Sequence, residues 1–244
     1  MGPYMLDKSC NYSIDHYRHI LTKALDLGYS FSFFDENISS ATPAIFLRHD
    51  IDFSLVQAEK ICRVENDIGI KSTYFILLNS ITYNPQEKEH FKVLEFIINS
   101  GHRIGLHIEY CNDFDKHLRK QVKILELTTG TGIKYFSLHN PNPQVVNELN
   151  ELSIKDIINV YDNQFTNDMT YISDSNQRIP CICSFIKQEQ KENIQILVHP
   201  LWWQETADSC NHIINSYIEN EKDKLIGWFK KNNRVYDNEE SSYI

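Results

Sequence analysis

Residues 45–52 read Ile-Phe-Leu-Arg-His-Asp-Ile-Asp, an apolar run that ends on two carboxylates two positions apart. In a strand, residues i and i+2 share a face, so Asp50 and Asp52 point the same way where the strand ends. Paired carboxylates repel, and desolvating them is costly unless a cation or a shared proton compensates. The stretch therefore reads as a metal site or a proton-transfer pair. Its alternative is a solvated strand-to-helix turn in which Asp52 caps the following helix.

Outward from this stretch, short apolar runs alternate with longer amphipathic ones, the pattern of a repeating βα fold. Strands are expected at 44–47, 72–78, 104–108, 134–138, 157–161, 170–172 and 195–198. Helices are expected at 13–27, 54–68, 88–99, 114–127, 143–152 and 208–230. Gly28, Gly69, Gly101 and Gly132 fall near helix ends, where a left-handed residue is often needed. No repeat or Pro/Gly/Ser-rich linker divides the 244 residues, which suits a single domain of barrel size. The expected fold class is α/β, a closed or nearly closed barrel of about seven parallel strands.

A net charge of −9 argues against nucleic acid or an anionic membrane as partner. The longest basic runs are the pairs Arg119-Lys120 and Lys230-Lys231. Residues 1–10 lack a signal pattern and no apolar stretch approaches a membrane span. The six cysteines (10, 62, 111, 181, 183 and 210) are then expected to be reduced thiols of a cytoplasmic protein. Cys181-Ile182-Cys183 lacks the two-residue spacer of common zinc and redox motifs, and is expected to be a strand with two small side chains on one face.

The polar residues gather just past the strands. Asp50 and Asp52 follow the first strand, and His107 and Glu109 end the third. His139-Asn140-Pro141, Asp174-Ser175-Asn176 and His199-Pro200 follow the fourth, sixth and seventh. In a parallel barrel these positions share the C-terminal rim, where such folds keep their active sites. Carboxylate and imidazole together suit zinc or a similar divalent ion with a position left open. A carboxylate beside the ion could take a proton from water, and a histidine across the site could protonate a leaving group.

With these residues in place, the chain resembles the polysaccharide deacetylase family (carbohydrate esterase family 4), whose NodB-type domain is a distorted (β/α) barrel that removes acetyl groups from amino sugars. The resemblance covers most of residues 44–201, with helical additions on both sides. The family's Asp-Asp pair stands here as Asp50-Ile51-Asp52, which implies Asp50 as base and Asp52 as ligand. The approach to the second motif stands as Gly101-His102-Arg103-Ile104-Gly105-Leu106-His107, which implies His107 as ligand. Where the family has a further ligand histidine four residues on, this chain has Cys111. The third ligand is then Cys111 or His139, and the inward-directed rim position favours His139. Ile196-Leu197-Val198-His199-Pro200 matches the strand that ends in the catalytic acid, which implies that role for His199.

Two departures mark a divergent member. Ser137-Leu138-His139-Asn140-Pro141 lacks the arginine that orients the base, leaving Arg48 or Arg178 to replace it. Asp174 matches the supporting aspartate without its surrounding motif. Glu109, Asn140 and Trp202 are further candidates for contact with substrate or ligands, while His102 is expected to be packed. Trp203, Tyr74, Tyr83 and Tyr110 are aromatic candidates for the core or for a sugar groove. The resemblance implies a divalent metal, zinc first, a carbohydrate substrate, and hydrolysis of an N-acyl group. The alternatives are a carbohydrate-binding protein that kept the barrel without turnover, and another barrel hydrolase such as an amidohydrolase.

Overall fold

The computed structural model describes residues 10–36, 42–151, 154, 156–177, 181–186 and 192–236. They fall into two compact units, residues 1–207 and 208–244. The first unit is built on parallel strands: β1 (Ser30–Phe31), β2 (Ala44–Ile51), β3 (Thr73–Leu77), β4 (Arg103–Ile108), β5 (Tyr135–Leu138), β6 (Ile158–Asn159), β7 (Thr170–Ser173) and β8 (Ile194–Val198). The sheet runs β6-β5-β4-β3-β2-β8-β7, and β1 pairs with the start of β2. It curls into a half-barrel, as the expected distorted barrel requires. The Tyr161 ring, just beyond β6, lies 6.4 Å from the Tyr171 ring of β7. Tyr171 and Tyr161 thus face each other across the unpaired side.

Among the described residues this unit has six α-helices: α1 (Ile14–Asp26), α2 (Leu55–Ile68), α3 (Lys88–Asn99), α4 (Phe114–Thr129), α5 (Pro143–Glu151) and the single-turn α6 (Asn163–Thr166). Serines start two of them, Ser13 accepting from His16 N–H and Ser54 from Gln57 N–H. The cap of α2 is therefore Ser54, and Asp52 is left for other work.

The seven expected strands all form, and β2 runs four residues further than expected, carrying Asp50 to the sheet's edge. The short β1 and α6 were not foreseen. Gly130, not Gly132, takes the left-handed position after α4. The expected strand at Cys181–Cys183 is instead a 3-10 turn over Ile182–Ser184, because the Cys181 sulfur caps it by accepting from Cys183 N–H at 3.2 Å.

Alternation in the strands makes two apolar cores. Outward residues such as Ile51, Tyr74, Ile76, Leu106 and Phe136 pack with α2, α3 and α4. Inward residues Phe46, Phe75 and Tyr135 pack with Phe34, Val160 and Phe165 to fill the half-barrel. Above this filled floor, β2 places Arg48, then Asp50, at its C-terminal end.

The second unit holds α7 (Cys210–Asn232), capped by Ser209, with Lys230 and Lys231 in its last turn where the helix dipole favours positive charge. Among the described residues no helix is long and apolar enough to cross a membrane.

Candidate metal and proton-transfer site

A cavity of about 280 Å3 opens at the C-terminal ends of the strands. Asp50, Asp52, His107, His139, Asn140, Tyr161, Tyr171 and His199 are among its lining residues. Parallel pairing places them there, since the carboxylates and imidazoles lie at or just past the C-terminal ends of their strands on the same rim.

Three donor atoms converge within it. His107 Nε2 lies 3.0 Å from Asp52 Oδ1, His139 Nδ1 lies 3.4 Å from the same oxygen, and the two nitrogens are 3.1 Å apart. Asp52 Oδ1 is buried, yet neither contact is aligned as a hydrogen bond. An ion about 2.0–2.1 Å from each of three tetrahedral N/O ligands needs donors about 3.3 Å apart. The donor set and its spacing therefore fit a divalent cation such as zinc.

The ring of His107 is oriented for that role. Ser137 Oγ donates to Asp50 Oδ1 at 3.1 Å and lies 2.6 Å from His107 Nδ1. The hydroxyl has one proton, so with that proton on Asp50 it accepts from Nδ1–H and leaves the Nε2 lone pair facing Asp52. Such a contact behind a ligating imidazole fixes its tautomer. For His139 the Asn140 amide nitrogen lies 3.0 Å from Nε2; with the amide turned over, its oxygen accepts from Nε2–H and Nδ1 is free to ligate. Asn140 takes a positive φ of 47° at the strand's end.

Asp50 sits beside this triangle, 3.5 Å from Arg48 Nη2 and 3.8 Å from His107 Nδ1. Arg48 is fully buried, its guanidinium 4.4 Å from the centre of the Tyr161 ring. Its guanidinium is thus within reach of the Asp50 carboxylate. Arg178, the other candidate, lies outside the described residues.

Across the cavity, His199 Nδ1 is 2.6 Å from Asp174 Oδ1, while His199 Nε2 faces Asp52 Oδ2 at 3.8 Å. Asp174 also accepts from His199 N–H and from Trp203 Nε1–H. Burial opposes a charge on His199, but Asp174, with Asp52 and Asp50 beyond it, prevails and pushes its pKa up to about 9. Burial likewise opposes ionisation of Asp52, yet the His107 and His139 imidazoles hold it well below the usual carboxylate range. Asp52 in turn raises His139, against burial.

Not every candidate joins the site. Trp202 is buried, its ring 6.1 Å from that of Phe53, so it cannot present a face to a sugar. Trp203 is buried too, as are Tyr74, bonded to Glu65, and Tyr83, bonded to the Ile51 carbonyl. Tyr110 is exposed and donates to Glu148. Cys111 is outside the donor triangle, and Glu109 is exposed beyond β4, accepting from Asn79. His102 packs in the outer core, as expected. Sequence reasoning missed Ser137, Tyr161 and Tyr171. Period-two counting back from His139 would have put Ser137 inward; nothing local marked the two tyrosines.

No family model matches the sequence, and no curated protein matches it. Among solved structures it is similar to a CE4 family pseudoenzyme from Bacillus anthracis, at 15% identity and a TM-score of 0.44, covering 74% of this chain and 60% of that one. A peptidoglycan deacetylase from Bacillus subtilis matches at 14% identity and a TM-score of 0.47, over 82% of this chain and 100% of that one. A family 4 acetyl xylan esterase from Clostridium thermocellum, in complex with a cobalt ion, matches at 14% identity and a TM-score of 0.41, over 76% and 90%. The chain thus spans about 60% of the length of the pseudoenzyme it matches.

Proposed function

We propose that this chain is a metal-dependent hydrolase that removes an acetyl or other acyl group from the nitrogen of a sugar or polysaccharide precursor. The observation that carries the reading is the Asp52–His107–His139 donor triangle opening into a cavity with Asp50 on one side and His199 on the other. A bound divalent cation, zinc by the donor types, would supply Lewis acidity toward the acyl oxygen and lower the pKa of a water.

The chain's own groups do the rest. Asp50, held by Arg48 and Ser137, takes the proton from a water as its oxygen attacks the acyl carbon. His199, kept protonated by Asp174, gives its Nε2 proton to the amine as the carbon–nitrogen bond breaks. Tyr161 and Tyr171 line the cavity and offer ring faces to a sugar.

Elemental analysis of the whole chain beside Asp52→Ala and His107→Ala, with acetate release from N-acetylated amino-sugar oligomers, tests this. Both variants are expected to lose about one metal equivalent per chain and all activity. Asp50→Asn should keep the metal and lose at least about a hundredfold in rate. Unchanged metal content in both ligand variants would sink the reading. Metal binding with no turnover of any acylated sugar would leave the non-catalytic binding protein in its place.

A further inference from the structure

A second cluster of metal-binding side chains lies away from the cavity, and the proposed reaction does not use it. Cys10, His16, Cys181 and Cys183 each offer one ligand atom, and the four atoms all lie within 4.8 Å of one another. Cys181 Sγ is 2.7 Å from Cys183 Sγ, Cys10 Sγ is 3.3 Å from Cys183 Sγ, and His16 Nε2 is 3.0 Å from Cys181 Sγ. The residues come from three places: the segment before α1, the first turn of α1, and the 3-10 turn between β7 and β8.

We propose that these four residues form a closed, structural zinc site of three thiolates and one imidazole. Soft sulfur donors with one imidazole select zinc among common divalent ions, and four protein ligands leave no position for a water or substrate. Tetrahedral bonds of about 2.3 Å to sulfur and 2.0–2.1 Å to nitrogen place donors about 3.6–3.8 Å apart, inside the span of this cluster. A disulfide would join two sulfurs and leave the third sulfur and the ring unused; a single cation engages all four.

Burial and the neighbouring Cys183 and Cys10 sulfurs push the Cys181 thiol up, so a bound cation is what would hold it as thiolate. Cys183 N–H donates to Cys181 Sγ at 3.2 Å, and Lys23 Nζ donates to the Cys183 carbonyl at 3.1 Å, bringing positive charge beside a site whose net charge would be −1. Ser13, which caps α1 by accepting from His16 N–H, holds that helix turn in place. The Cys-x-Cys spacing hid this reading in the sequence, because two ligands come from remote positions. The sequence separations, 173 residues for Cys10–Cys183 and 165 for His16–Cys181, make the cross-link effective, since closing long loops removes most entropy from the unfolded chain.

The position gives the clamp a purpose. It anchors the turn between β7, which leads into Asp174, and β8, which leads into His199, to the N-terminal segment. That segment is itself bound beyond His199, through Ile14 N–H to the Gln204 carbonyl and Gln204 N–H to the Tyr12 carbonyl. The zinc would therefore hold the strands that carry the His199–Asp174 pair.

Cobalt substitution of the full chain decides the matter. Cobalt-loaded wild type should show a near-ultraviolet sulfur-to-cobalt charge-transfer band, kept by Asp52→Ala and His107→Ala and lost by Cys181→Ser and Cys183→Ser. Because the serine variants could fail to fold, a mercurial titration of folded wild type is the second measurement, expected to eject about one zinc per chain. Failure of the cavity's reading leaves both signals untouched, so the two sites fail separately. Wild type with no charge-transfer band and no metal ejected by mercurial, or a disulfide among Cys10, Cys181 and Cys183 found by mass, overturns the proposal.

Discussion

His199 shows how much one neighbour sets. Its imidazole is buried, which alone would favour the neutral form, yet the Asp174 contact at 2.6 Å lifts its pKa to about 9. A group whose pKa is raised in the folded state is protonated, and stabilised by its partner, below the raised value, and loses both as pH climbs through it. As the proposed proton donor, His199 would therefore set a basic limb on the rate. A cation at Asp52 opposes the rise, so in loaded protein the limb lies below 9. Asp174→Asn removes the nearest negative charge and should move that limb to lower pH, by about one unit or more, with metal content unchanged. A kcat/KM profile against pH measures it, and an unmoved basic limb would mean that His199 is not the acid. The sequence put both residues just past their strands and paired them only by resemblance, whereas the fold joins the two by direct contact.

At the scale of elements, β4 illustrates what a glycine is for. Gly105 pairs with Phe75 in the β3–β4 register, and a Cβ built on it would collide with the Phe75 ring. Phe75 is a fully buried part of the inner core, so it has nowhere to withdraw. Gly105→Ala should destabilise the fold by about 1–3 kcal/mol through overpacking, read as a lower urea midpoint at unchanged m value; full stability would show that the ring moves aside cheaply. The paired Gly101 answers a different need, a φ of +85° at the turn into β4. Strand and helix order were legible because each kind of element carries its own signature: a short apolar run in β2 to β5, a period of 3.6 in α1 and α2. What escaped detection had no period to read. β1 spans two residues and α6 four, and the Cys181–Cys183 turn is stabilised by its own sulfur. In the site, Asp50, Asp52, His107, His139 and His199 were legible because each stands at or just past the end of an apolar strand. Tyr161 and Tyr171 were not, because only curling of the sheet brings them to Arg48.

Across the whole first unit, one buried carboxylate joins elements far apart in the chain. Glu65 of α2 receives Tyr17 Oη of α1 at 2.5 Å, Ser72 Oγ at 2.7 Å and Tyr74 Oη of β3 at 2.8 Å, and lies 2.6 Å from His49 Nε2 of β2. His102, before β4, completes the cluster at 3.5 Å. Burial alone would raise Glu65, but His49, His102 and the donated hydrogen bonds bring it down to about 2. Burial brings His102 down to about 4, and Glu65 only partly resists it. Both shifts have the same sign for stability. The unfolded chain binds a proton at His102 from about pH 6.5 downward that the folded chain refuses until about 4, and one at Glu65 from about 4.5 that the folded chain refuses until about 2. Stability present at neutral pH is therefore lost as pH falls through these windows, at a limiting slope of about 1.4 kcal/mol per pH unit for one proton. Urea midpoints between pH 7 and 3 should fall steadily. Glu65→Gln should be less stable at pH 7, because one acceptor oxygen becomes an NH2 and two of the four polar neighbours then face a donor, but should decline less below about pH 4.5. Equal acid sensitivity in wild type and variant would place the titrating group elsewhere. The cluster lies on the outer face of the sheet and the cavity on the inner, so the variant's loss of stability should come without any change in the metal proposed to bind at Asp52, His107 and His139.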